Sequence, residues 1–330
     1  FDSSSLSYVH LINTSDQEIL NIRGTVYDPS GKLVGLENSV LLPSLGPFEQ
    51  AWIDRDRIAA KINTEWNGDA MLEVEAKPGL KLLDLEYLPD RDAYLNFSCA
   101  EDQETSTVFL QTSSTGDNVS FTHIVNTSDT GQMLTGTLYG ADGSVVGEAD
   151  TPLNDLALRP RGRLVLTSTD IERIFDISPW EGPAIMKVSG GDRLSLMTKL
   201  VSPSGLVSNT NCVRANRVHN VLGFDSEEIT HVRFSNTGSR PLYGFESLRI
   251  SMFDSTGNPI GKQGVIIKRQ LQPMEAFSLS RNELAELVEA EWNGAATLVM
   301  DFPRDSLKLH NLNLVNGETF MNFSCYEEAQ

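Results

Sequence analysis

Three short motifs in this chain carry residue types that could do chemistry, and each occurs three times. The first is a tryptophan followed by a polar residue and a glycine: Trp66-Asn67-Gly68, Trp180-Glu181-Gly182 and Trp292-Asn293-Gly294. An indole can stack on the apolar face of a sugar while an adjacent amide or carboxylate takes its hydroxyls. Trp66, Asn67, Trp180, Glu181, Trp292 and Asn293 are therefore the candidate ligand-binding residues. The stronger expectation for the same indole, placed after a short helix and before an apolar strand, is that it closes one end of a core.

The second motif is an aspartate turn: Asp28-Pro29-Ser30-Gly31, then Asp142-Gly143, then Asp254-Ser255-Thr256-Gly257. Calcium wants several carboxylates at close spacing and the first turn supplies one, so ordinary turn chemistry is expected. The third motif is a histidine in an early strand, His10 and His123, with His231 nearby in the third copy. Three histidines in three separate units cannot meet on one metal unless the units form a ring, and no His-Xaa-Xaa-Xaa-His or Cys-Xaa-Xaa-Cys spacing occurs. No metal site and no cofactor is assigned.

Cys99, Cys212 and Cys325 stand at equal spacing. They occupy equivalent places about one domain apart, too far for a bond that needs Cα atoms within about 7 Å, and are expected as buried thiols. Neither a nucleophile elbow of the Gly-Xaa-Ser-Xaa-Gly kind nor a phosphate-cradling glycine loop is present. Catalytic groups normally break the symmetry of a repeat, whereas the polar residues here largely follow it. The chain reads as non-enzymatic.

What positions these motifs is a triplication of a unit of roughly 112 residues. Tyr8-Val9-His10-Leu11-Ile12-Asn13-Thr14-Ser15-Asp16 is matched by Phe121-Thr122-His123-Ile124-Val125-Asn126-Thr127-Ser128-Asp129, and less closely by the run His231 to Gly238. Between landmarks the apolar period is two, as in Leu72, Val74 and Ala76, in Leu83, Leu85 and Tyr87, and in Leu194, Leu196, Thr198 and Leu200. Short strands with regular turns predict an all-β chain of three tandem Ig-like β-sandwich domains. The units are expected at 1–104, 105–216 and 217–330, the third being divergent.

One short helix is expected in each unit, after Asp54, after Thr169 (with Glu172) and after Ser280 (with Glu283); the last two fit a capping box. The joints lack Gly/Ser or Pro-rich spacers, which predicts modules packed end to end with little freedom.

Composition narrows the function. Against 26 basic side chains stand 45 acidic ones, a net charge of -19 that repels phosphate backbones and argues against a nucleic-acid partner. A hydrophobic content of 40% is ample for a core in each unit, yet no apolar stretch is long enough to span a bilayer as a helix. The chain opens on Phe1-Asp2-Ser3-Ser4-Ser5, so the numbering is expected to start after a removed signal or partway through a longer protein. Glycosylation sequons at Asn13, Asn96, Asn118, Asn126 and Asn322 mostly coincide with repeat landmarks, where a turn explains them locally.

The order of an Asn-Thr-Ser-Asp turn, an Asp-Xaa-Xaa-Gly hairpin, a small helix, a Trp before a strand and a closing Asn-Xaa-Ser resembles bacterial extracytoplasmic Ig-like repeat modules of secreted or surface proteins. The resemblance covers all three copies, with Thr210-Asn211-Cys212 and the shifted third opening strand as departures. It implies a sandwich fold, a periplasmic, cell-surface or secreted location, and a role in adhesion, display or binding of a protein or glycan partner. The expected function is a structural or interaction protein presenting a binding surface or acting as a rigid spacer. Carbohydrate binding at the Trp-Xaa-Gly loops is the alternative. A closed three-unit ring is a third reading, for which the lysines and arginines supply no repeated basic cluster. Function is expected where the copies differ.

Overall fold

The structure is a computed structural model that describes all residues except 1–5, 89–92, 97–106, 206, 210–213, 216–218, 223–228, 243–247, 255, 268–269, 293–295, 302–306, 316–318 and 323–330. Cys99, Cys212, Cys325 and Asn293 lie outside the described residues.

The chain is all-β and antiparallel, with three short helices among the described residues. The first unit contains β1 (Leu6–Asn13), β2 (Ile19–Tyr27), β3 (Leu33–Leu45), β4 (Gln50–Asp54), β5 (Met71–Val74), β6 (Leu80–Leu88) and β7 (Ala93–Asn96). They form two sheets, ordered β4-β1-β6-β7 and β3-β2-β5. The second unit repeats this plan with β8 (Thr107–Leu110), β9 (Val119–Asn126), β10 (Thr135–Tyr139), β11 (Val145–Pro152), β12 (Arg163–Thr167), β13 (Ala184–Ser189), β14 (Leu194–Val201) and β15 (Val207–Asn209). Its sheets are ordered β12-β9-β14-β15 and β11-β10-β13-β8.

In the third unit stand β16 (Arg214–Ala215), β17 (His219–Leu222), β18 (Ile229–Asn236), β19 (Arg249–Asp254), β20 (Val265–Ile266), β21 (Ala276–Ser280), β22 (Ala296–Asp301), β23 (Leu307–Val315) and β24 (Thr319–Asn322). One sheet runs β16-β23-β18-β21 with β24 on β23, the other β17-β22-β19-β20. Arg214 and Ala215 pair with Leu309 and Lys308, so the third sheet already recruits chain at residue 214.

Each pair of sheets encloses its own apolar core. Val9, Leu11, Ile22, Ile58 and Trp66 build the first, Leu110, Ile124, Phe175 and Trp180 the second, and Phe234, Met252, Leu284 and Trp292 the third. A helix follows the fourth strand of the motif each time: α1 (Arg55–Ile62), α2 (Ser168–Phe175) and α3 (Arg281–Val288). Asp54 caps α1 through Arg57 N–H, and Ser280 with Glu283 forms the expected capping box on α3. On α2 the box is Thr167 with Asp170, two residues earlier than the sequence pattern suggests. That leaves Glu172 free of the cap. Its carboxylate accepts instead from the Ser114 N–H and hydroxyl at 2.8 and 2.6 Å, tying a loop to the helix.

Two registers differ from a simple reading of the pattern. Asn236 takes the place of Asn13 and Asn126, as the shifted third run has it, and this puts Arg233 rather than His231 where His10 and His123 stand. On β6 the row Leu83, Leu85 and Tyr87 pairs with His10, Tyr8 and Leu6, while Leu82 lies opposite the core residue Leu11. The apolar row of β6 thus shares the face of Tyr8 and His10 rather than that of Leu11, because strand faces alternate and one residue of register exchanges them, yet Leu85 is buried there.

Candidate interaction surface at the module joints

The candidate site grows from two turns that the repeat supplies in every unit. One is the hairpin after the second strand of the motif, closed at Gly31 and Gly143 with φ of +80° and +80°, a region natural to glycine. The Asp28 carboxylate accepts the Ser30 N–H and hydroxyl and the Lys32 N–H, which fixes the turn. Asp254 does the same with Thr256 and Asn258, and hydrogen bonds from the Thr256 hydroxyl above all hold its carboxyl down at about 2. These carboxylates are committed to turn geometry, and among the described residues no group of three His, Cys, Asp or Glu side chains could hold a metal.

The other turn is Pro47-Phe48, Pro160-Arg161 and Pro273-Met274, in which Phe48, Arg161 and Met274 each take positive φ, 56°, 60° and 60°. A buried asparagine holds it. Asn126 Nδ2 donates to the carbonyls of Thr130, Leu158 and Arg159 at 2.7, 2.9 and 3.1 Å, while its Oδ1 accepts from the Ser128 N–H and hydroxyl. Asn13 and Asn236 repeat this arrangement on the carbonyls of Leu45 and Gly46 and of Leu271 and Gln272. Asn13 and Asn126 are buried, so neither is placed to carry a glycan in the folded chain.

The hairpin of one unit docks on the proline turn of the next, and it does so twice. The Arg163 N–H donates to the Pro29 carbonyl at 2.9 Å, and the Ala276 N–H to the Ala141 carbonyl at 3.1 Å. The donors each stand three residues after the turn proline, and the acceptors each stand two residues before the hairpin glycine. A Cβ at Gly31 would lie 2.2 Å from the Pro160 carbonyl oxygen, and one at Gly143 would lie 2.7 Å from that of Pro273. Glycine is needed at both for its conformation and for close approach.

Side chains around this shared geometry differ. At the first joint Arg161 donates to the carboxylates of Glu73 and Asp129, and Arg163 to that of Asp69. Burial, and then the Glu73 charge, raises the Tyr27 phenol above its usual range. At the second joint Phe109, Tyr139, Ile185, Met274 and Ala276 form an apolar cluster, with Phe109 edge-on to His310 at 4.4 Å. The Arg233 guanidinium is buried there, lowered to about 10 by that burial, and donates to Gln111 Oε1 at 2.8 Å. Sequence reasoning passed over this surface because its contacts span units; the shared proline, each time 34 to 37 residues after the strand asparagine (Asn13 to Pro47, Asn126 to Pro160, Asn236 to Pro273), was the readable signal.

The Trp-Xaa-Gly residues stand elsewhere and do not converge. Trp66, Trp180 and Trp292 are 8%, 6% and 8% exposed and belong one to each core. The guanidinium groups of Arg55 and Arg281 lie 5.0 and 4.8 Å over the rings of Trp66 and Trp292. Asn67 and Glu181 are exposed beside them. With the rings inside, no indole face is offered for stacking on a sugar.

Protein-family models, curated proteins and solved structures contain no match to this chain.

The tryptophan outside the Trp-Xaa-Gly motif, Trp52, is 41% exposed and stacks on His10 with ring centroids 4.3 Å apart. Iodide is expected to quench Trp52 emission alone, so Trp52→Phe should leave fluorescence that iodide does not touch; quenching that persists in the variant would place a core indole in solvent.

His123 sits in the second unit at the first joint with its ring buried. Burial, then Lys199 and Arg163, pushes it down to about 3 from 6.5. The unfolded chain binds that proton below about pH 6.5 and the folded chain only near pH 3, so stability is complete above 6.5 and falls as pH drops towards 3. By pH about 4.5 the loss should be about 2 to 3 kcal/mol. His123→Leu should flatten that slope in urea denaturation of the second unit, and an unchanged slope would assign it to other groups.

Proposed function

We propose that this chain is a non-enzymatic structural or interaction protein, a spacer whose three units are held in fixed relative orientation to present a surface over a distance. The observation that carries this reading is the same interdomain backbone hydrogen bond at both joints, from Arg163 to Pro29 and from Ala276 to Ala141. Flexible linkers do not reproduce one docking geometry twice, whereas a spacer needs it. An extracytoplasmic setting, at a bacterial envelope or surface, rests on the resemblance of the repeat to modules of such proteins.

Small-angle scattering tests the spacer. A single rigid particle should fit the profile of the intact chain, whereas a profile needing an ensemble of module orientations would overturn the reading. Robust turnover of any substrate would overturn its non-enzymatic part.

A further inference from the structure

Each docking surface used inside the chain recurs once more, exposed. The proline turn of the first unit presents Phe48 at the position of Arg161 and Met274, and Phe48 is 71% exposed. Trp52, 41% exposed, lies on the strand that follows this turn. At the opposite end the third hairpin presents Gly257, φ +84°, with nothing within 4 Å of a Cβ built there. Behind it stands Phe253, paired with Thr297, where the second hairpin has Tyr139 paired with Ile185.

We infer that the hairpin of the third unit docks on the proline turn of the first unit of a second copy, so that chains assemble head to tail. The two internal joints are the template. In the new joint Gly257 meets the Pro47-Phe48 backbone as Gly143 meets Pro273, and the Gln50 N–H stands where Arg163 and Ala276 carry their donors. The side chains match the apolar joint, Phe48 and Phe253 replacing Met274 and Tyr139. Because the two surfaces are different, the contact is heterologous and each addition leaves both ends exposed, which gives open chains of chains or a ring of several copies. Within the chain each joint benefits from a millimolar effective concentration, so the contact between copies is weak and appears at high concentration. A charge of -19 on each copy opposes it and salt relieves that opposition. This inference does not depend on the spacer reading.

Sedimentation velocity from about 1 µM to about 1 mM tests it. The weight-average mass of the unmodified protein should rise past that of a dimer with concentration, and rise further in added salt. Phe48→Glu should remain monomeric, since it charges an exposed turn without touching a core. Gly257→Asn should also remain monomeric, because asparagine tolerates the left-handed region while its Cβ occupies the space the neighbouring turn needs. An equimolar mixture of the two variants should stop at a dimer, one intact hairpin meeting one intact turn.

Three results would overturn the inference: an unmodified chain monomeric throughout, variants that assemble like it, or a mixture that stays monomeric. A monomer that still scatters as one rigid particle would sink the assembly and leave the spacer standing.

Discussion

Asn126→Asp should cost the second unit at least about 4 kcal/mol, comparable with the whole stability of a small domain. The Asn126 amide nitrogen lies among the carbonyl oxygens of Thr130, Leu158 and Arg159, and a carboxylate there would set charge against all three with no proton to share. Asn126→Ala removes the donors without adding charge and should cost less, about 3 kcal/mol. Native-state hydrogen exchange can follow the loss unit by unit, with protection falling in β9, β12 and β14 and persisting in β1 and β18. The aspartate variant should recover in part in acid as its carboxyl takes a proton. Equal losses for aspartate and alanine would mean that the polar hub is wetter than its burial indicates.

Gly31→Ala has the second large effect, and it falls on the joint rather than on a core. A Cβ there would lie 2.2 Å from a backbone oxygen that cannot yield, so the first unit must leave the second. The undocking removes the Pro29 hydrogen bond and the bridges of Arg161 to Glu73 and of Arg163 to Asp69, together about 2 to 3 kcal/mol. Scattering should change from one rigid body to a first unit moving against a rigid pair. Gly257→Ala, measured on dilute protein, is the control, since its φ of +84° carries a similar strain, about 1 to 2 kcal/mol, with no neighbour in its own chain to strike. A Gly31→Ala chain that scatters like Gly257→Ala would remove the close approach from the explanation of the joint.

Much of the fold was legible in the residues because it depends on local chemistry. Alternation marks strands wherever one face is buried, Ser280 and Glu283 announce α3, and the glycine turns announce hairpins. The helix start at Thr167 was harder to read, because Thr169-Glu172 mimics a capping box in which Glu172 is needed elsewhere, on Ser114. Register was also illegible: Leu83, Leu85 and Tyr87 have the composition of a core face and lie on the other one, a distinction made only by pairing with β1. Trp66, Trp180 and Trp292 suited packing better than stacking by their place between helix and strand, and all three are buried. The joints were least visible, since a hydrogen bond from Arg163 to Pro29 uses backbone atoms that every residue has.

The unlike chemistry of the two joints makes ionic strength a selective lever. Arg161 and Arg163 meet carboxylates that are partly solvated, and a concentrated electrolyte weakens such attraction over a few ångströms of water. Phe109, Ile185 and Met274 are held by exclusion from water, which sulfate or phosphate strengthens. The two joints are therefore expected to answer salt in opposite ways: the first unit is the one that should swing in brine, while the second and third stay docked.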